Sequence, residues 1–110
     1  SLDRDSDAAP TRTFIEAFES KAGFKADMVA ASAHTATNVV IEAMREAGTT
    51  DRAASRDAIA GLTLEASTGT ISFNELGEVQ KNVQVQVVLD GNWHRHSVIS
   101  DPELLAPPAE

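Results

Sequence analysis

The chain has 110 residues, 42% of them hydrophobic, and a formal charge of -8. That length suits about one domain with a modest core, and the acidic balance argues against nucleic acid or an anionic membrane surface, which need clustered Lys and Arg. Cysteine is absent, which excludes thiolate zinc sites and disulfide stapling, and no apolar run is long enough to cross a bilayer.

Ser1 to Pro10 is polar, charged and closed by proline, so residues 1–12 are expected as a flexible tail. A first residue that is Ser rather than Met is what processing, or a start inside a longer gene, would give. Thr13 followed by Glu16 reads as a capping box. Phe14, Ile15, Phe18 and Ala22 then form one apolar stripe that Gly23 stops, which predicts a helix over 13–22.

Asp27 offers a cap for the longest helix, over 29–47. Ala33, Ala36, Val40, Ala43 and Ala47 recur at helical spacing, and Val39 and Met44 widen the stripe. Asn38, Glu42 and Arg45 fall on the other side, and Gly48 supplies the stop. A buried face made mostly of alanine lets a neighbouring helix or sheet come close. Thr49, Thr50 and Asp51 offer caps for a third helix over 52–60, with Ala54, Ala58, Ile59 and Leu62 on one side.

The period then changes. Ile71 and Phe73 alternate with Thr70, Ser72 and Asn74, which predicts a half-buried strand over 70–74. Gly77 follows with the freedom a turn requires. Val83, Val85 and Val87 share one face of a strand over 82–89, with Gln84 and Gln86 on the other. Val88 and Leu89 disturb this alternation, as a bulge or two-sided burial would. Asp90-Gly91 is a strong hairpin signal, and a return strand follows over 92–98. Residues 100–110 are rich in proline and acid and are expected as a second tail. The fold class is therefore α/β, three helices followed by a three-stranded meander.

Candidate chemistry is sparse. His94 and His96 stand two apart on one strand, but without Cys or a placed carboxylate they do not make a metal site. Ser32 near His34, and Ser97 near His96, lack any oriented triad signature. Nothing places Glu65 and Glu75 together as paired acids, and phosphate-binding glycine motifs are absent. The pattern predicts no enzyme, no cofactor and no metal.

Three segments taken in order carry a family resemblance. FIEAFESKAGFKAD is a helix with two spaced aromatics and a short basic linker. HTATNVVIEAMREAGTTD is a helix ending in Ala-Gly and a polar cap. GLTLEASTGTISFNELGEVQKNVQVQVVLDGNW holds a glycine-flanked turn and a hairpin. Phe14 to Trp93 thus resembles the last part of type I periplasmic binding proteins of the leucine/isoleucine/valine class, the extracytoplasmic solute receptors of ABC transporters. Gly69, Ile71, Phe73, Asn74, Gly77 and Glu78 match the family's turn, and Asp90 and Gly91 match its hairpin.

The resemblance implies two α/β lobes with ligand in the cleft between them, of which residues 13–99 would form a partial domain. It implies a periplasmic or extracytoplasmic location. It implies as partners a small amino-acid-like or organic-acid solute and an ABC permease, with no nucleic acid and no membrane insertion. Val29, Ala31, Ser32 and His34 lie in the stretch that approaches the cleft in relatives, with His34 where the family often has tyrosine. A piece of such a receptor would expose surfaces normally covered and is expected to self-associate. The alternatives are an independent self-associating α/β interaction module and a ligand-sensing domain of a regulator.

Overall fold

The computed structural model describes residues 1–106. Helices α1 (Ala9–Ala22), α2 (Met28–Ala47) and α3 (Arg52–Ala60) come first. Strands β1 (Leu64–Ala66), β2 (Gly69–Phe73), β3 (Val79–Gln80), β4 (Val83–Leu89) and β5 (Asn92–Ile99) follow, and a short α4 (Pro102–Leu105) ends the described chain. The architecture is α/β, helices followed by small antiparallel sheets. Its extents are 47 × 40 × 19 Å, so it is a slab about two layers thick.

The amino terminus is not a free tail. Leu2 is buried among Phe14, Ile15, Ala26 and Ala31, and Arg4 donates to the Ala26 carbonyl at 2.7 Å and to Glu19 at 2.5 Å. α1 begins at Ala9 rather than at Thr13. Pro10 lies in its first turn, where a missing N–H costs nothing, and no side chain caps it. The expected Thr13–Glu16 capping box therefore falls inside the helix. Phe14 and Ile15 are buried and Phe18 packs against them, as the stripe predicts.

Asp27 does cap α2, its carboxylate accepting from the Ala30 N–H at 2.8 Å. Replacing Asp27 with alanine is expected to lower stability by about 1 kcal/mol, measured by urea unfolding, with Asp27→Asn retaining most of it.

The buried line of α2 is Ala31, Thr35, Val39 and Ala43, one position round from the expected stripe. Ala33, Ala36 and Val40 face solvent. The reason is Thr35. A threonine reads as polar, yet here its hydroxyl meets Ser67 at 3.2 Å and Thr68 at 3.0 Å, so it can be buried. α2 consequently carries two apolar faces, one packed and one open.

A second core cluster joins Val39 of α2 to Leu62 and Ile71, with Ile59, Leu64 and Phe73 around it. Here the sheet differs from the expected meander. β1, which falls between the expected elements, pairs with β2 through Leu64↔Ile71 and Ala66↔Gly69, and β2 pairs with β3 through Phe73↔Val79. Strands of two or three residues are too short to show a period. Asn74 accepts from the N–H groups of Leu76 and Glu78 at 3.0 and 2.9 Å, and Gly77 has φ 81°. This side-chain-built turn returns the chain onto β2.

β4 and β5 form a separate hairpin. Asp90 and Gly91 have φ 50° and 75° between the paired Leu89 and Asn92, the two positive values a type I′ turn requires. The register breaks between Val85↔Ser97 and Gln86↔Arg95, leaving His96 as the extra residue. The bulge is thus on β5, not at Val88 and Leu89, and it interrupts the alternation between His94 and His96. Within the expected second tail, Asp101 caps α4; residues 107–110 lie outside the described residues.

The Cα radius of gyration is 15.5 Å, against about 13 Å for a compact chain of this length. The excess goes with large exposed side chains, among them Val29, Val40, Leu89 and Trp93.

Candidate functional site

A groove of about 530 Å³ opens where the first turn of α2 faces the tip of the β4–β5 hairpin. The α1–α2 turn supplies Lys25, Ala26 and Asp27, and α2 supplies Met28 and Val29. The hairpin supplies Gly91 from its turn and Asn92 and Trp93 from the first two positions of β5. Lys25 Nζ donates to Asn92 Oδ1 at 3.2 Å, bridging the two sides. Leu2, Arg4 and Gln86 complete the lining.

The groove combines apolar walls with a few charged groups. Its apolar walls are Leu2, Met28, Val29 and Trp93, and Met28, Val29 and Trp93 are more than half exposed. The Lys25 ammonium, bonded to Asn92, and the Asp27 carboxylate, one oxygen of which caps α2, add one charge of each sign. Arg4 is already committed to Glu19 and the Ala26 carbonyl. The Arg4 guanidinium, helped by the Ala26 N–H, holds the Glu19 carboxyl below the usual carboxylate range. Such a volume and mixture suit a small, partly apolar solute with a charged group.

Along α2 from this groove lies a polar cluster around Ser67, which is 1% exposed. Its Oγ is 3.1 Å from His34 Nδ1 and 3.2 Å from Thr35 Oγ1, and it donates to the Ala31 carbonyl at 3.4 Å. The Ser67 carbonyl accepts from Thr11 Oγ1 at 3.1 Å. The His34 ring also lies against Phe14, centroids 4.7 Å apart. The cluster ties α1, α2 and the β1–β2 turn together. With its hydroxyl already engaged and sealed from solvent, Ser67 has no approach for a substrate.

The four expected ligand positions do not converge. Val29 lines the groove, whereas Ala31 is fully buried beneath it. Ser32 is exposed, and His34 turns to Ser67. Of the motif residues, Gly69, Asn74 and Glu78 border a second depression of about 760 Å³ beside β3, while Ile71 is 3% exposed in the core. Sequence reasoning did not single out Lys25, Asn92 or Ser67. The i, i+4 run of small residues Ala31-Thr35-Val39-Ala43 was the available signal for the last, since a hydroxyl on a buried line needs a partner.

His94 Nδ1 lies 3.3 Å from Asp5 Oδ1. The Arg95 N–H, then His94, draw the Asp5 carboxyl below its ordinary pKa. Among the described residues no group of three or more His, Asp or Glu side chains is arranged to hold a metal, and no helix is long and apolar enough to cross a membrane.

The fold is similar to that of a leucine binding protein from Thermotoga maritima, with a TM-score of 0.77 and 23% identity. The match covers 91% of this chain and 29% of that protein, so the chain spans under a third of the length of the structure it matches. At that identity the likeness concerns the fold. No curated protein matches the chain. A family model described as periplasmic binding protein matches residues 2–92, most of the sequence, and the chain therefore belongs to the periplasmic binding protein family.

Proposed function

We propose that this chain is the C-terminal part of an extracytoplasmic solute-binding receptor, which delivers an amino-acid-like or organic-acid solute to an ABC transporter permease. The observation that carries this reading is the family match across residues 2–92. The groove at the first turn of α2 supports it, because apolar walls with a single ammonium and a single carboxylate at the rim suit such solutes. The open second face of α2 supports it too, since a lobe completed by further chain would cover Val40 and its neighbour Ile41, both exposed outside the groove.

Nothing covalent is required. Selectivity would come from hydrogen bonds in the cleft and from closure of one lobe on the other. Calorimetry on the full-length receptor and on the 110-residue chain, against leucine, isoleucine, valine, phenylalanine and small carboxylates, tests the proposal. The receptor is expected to bind one of them at micromolar Kd or better, about -8 kcal/mol, and the chain alone to give no heat. Tight binding by the chain alone, or none by the receptor, would overturn it.

A stand-alone interaction module is the second reading, favoured by the open edge of β4. An in-frame start codon directly before Ser1 would support that reading. An upstream frame of two-lobe length with a signal peptide would support the receptor.

A further inference from the structure

Over Val83 to Gln86, β4 sits the wrong way round for a half-buried strand. Gln84 and Gln86 turn toward the body of the protein, where Gln86 Nε2 reaches the Leu2 carbonyl at 3.3 Å and both amide atoms of Gln84 are buried without a partner. On the opposite face Val83, Val85 and Leu89 are 45%, 38% and 52% exposed and Val87 is half-buried, while toward the hairpin tip Val88, on the glutamine side, is exposed as well. A strand with one solvated face normally shows the opposite pattern.

Its outer edge is open as well. Leu89 and Asn92 flank a two-residue turn, so they form a hydrogen-bonded pair, and alternation aims the N–H and C=O groups of Gln84, Gln86 and Val88 away from β5. Among the described residues no backbone hydrogen bond joins this edge to another element. The sequence VQVQVVL contains no charge, proline or glycine to discourage a further strand.

We propose that β4 of a second copy of this chain occupies that edge, antiparallel and centred on Gln86. The strand is self-complementary in this register. Gln86 meets Gln86, Gln84 meets Val88, Val85 meets Val87 and Val83 meets Leu89. Three outward-facing residues of each copy exchange backbone hydrogen bonds, and the valines form cross-strand pairs. Charge selects the direction. Lys81 precedes β4 and Asp90 follows it, so antiparallel pairing brings each Lys81 to the partner copy's Asp90 end. Parallel pairing would set like charges together. The inference rests on the 110-residue chain and does not depend on the receptor reading.

Light scattering after size exclusion is expected to give twice the 11.7 kDa chain mass at high concentration. Val85→Lys, at an exposed position, should leave the circular dichroism unchanged and give a monomer. Lys81→Glu should weaken the dimer about tenfold, and adding Asp90→Asn, which suits the positive φ, should recover part of that loss. Hydrogen exchange at Gln84, Gln86 and Val88 should slow as wild-type concentration rises, a result that stands even if Val85→Lys fails to fold. A monomer at every concentration, a dimer untouched by Val85→Lys in folded protein, or edge amides whose protection ignores dilution would each overturn the proposal.

Discussion

Ile71→Ala is expected to lower the unfolding free energy by about 3 kcal/mol and the melting temperature by roughly 10–20 °C. Ile71 is 3% exposed at the centre of β2, and its only fully buried apolar neighbours in that cluster are Val39 and Leu62. Removing its branched chain leaves a void that β1 cannot close, because Leu64 is held opposite Ile71 by the strand register. A chain of this size has about 5–15 kcal/mol to lose, so the single change removes a large share. Thermal and urea unfolding followed by circular dichroism measure it. Leu76→Ala is the control, since Leu76 is 76% exposed in the Asn74–Glu78 turn and is expected to shift stability by under about 0.5 kcal/mol. A loss below about 1 kcal/mol at Ile71 would mean that the second cluster does not anchor the sheet.

The size of that effect follows from the thinness of the core. Ala26, Ala31, Ala43 and Ala66 make up much of the buried apolar set, and alanine removes little area from water on burial. Most of the hydrophobic driving force therefore rests on Leu2, Phe14, Ile15, Val39, Leu62 and Ile71. Surfaces that would enlarge the core, the open face of α2 and the valine face of β4, are left in solvent.

What could be read from the sequence was whatever local chemistry fixes. Gly23 and Gly48 end α1 and α2, Asp27 and Asp51 cap α2 and α3, and Asp90-Gly91 builds its turn. Each depends on a few adjacent residues. What could not be read depended on distant partners. Leu2 belongs to the core only because α1 and α2 create a place for it. β1 is a strand only because β2 lies beside it. The rotation of α2 follows from Thr35 finding Ser67 and Thr68 across more than thirty residues of chain. The groove was half legible: Val29 was expected as a contact, whereas Lys25 and Asn92 meet across 67 positions, a distance no periodicity reports.

Ser67 provides the sharpest test of that distant pairing. Ser67→Ala removes a hydroxyl that is 1% exposed and shared among His34, Thr35 and the Ala31 carbonyl. The expected loss is about 2 kcal/mol, the sum of lost hydrogen bonds and partners left short in a dry site. Thr35 keeps Thr68 at 3.0 Å, and the Thr11 bond goes to the Ser67 backbone carbonyl and survives, so the loss should stop short of unfolding. Thr35→Val should cost a similar amount, because the valine fits while the hydroxyl is lost. The two changes act on one network, so the double mutant is expected to lose about 1 kcal/mol less than the sum of the singles. Additive losses would mean that Ser67 and Thr35 are buried side by side without supporting each other. The position of α2 would then rest on Ala31, Val39 and Ala43 packing alone, and the groove wall at Val29 would be held by apolar contact rather than by this polar tie.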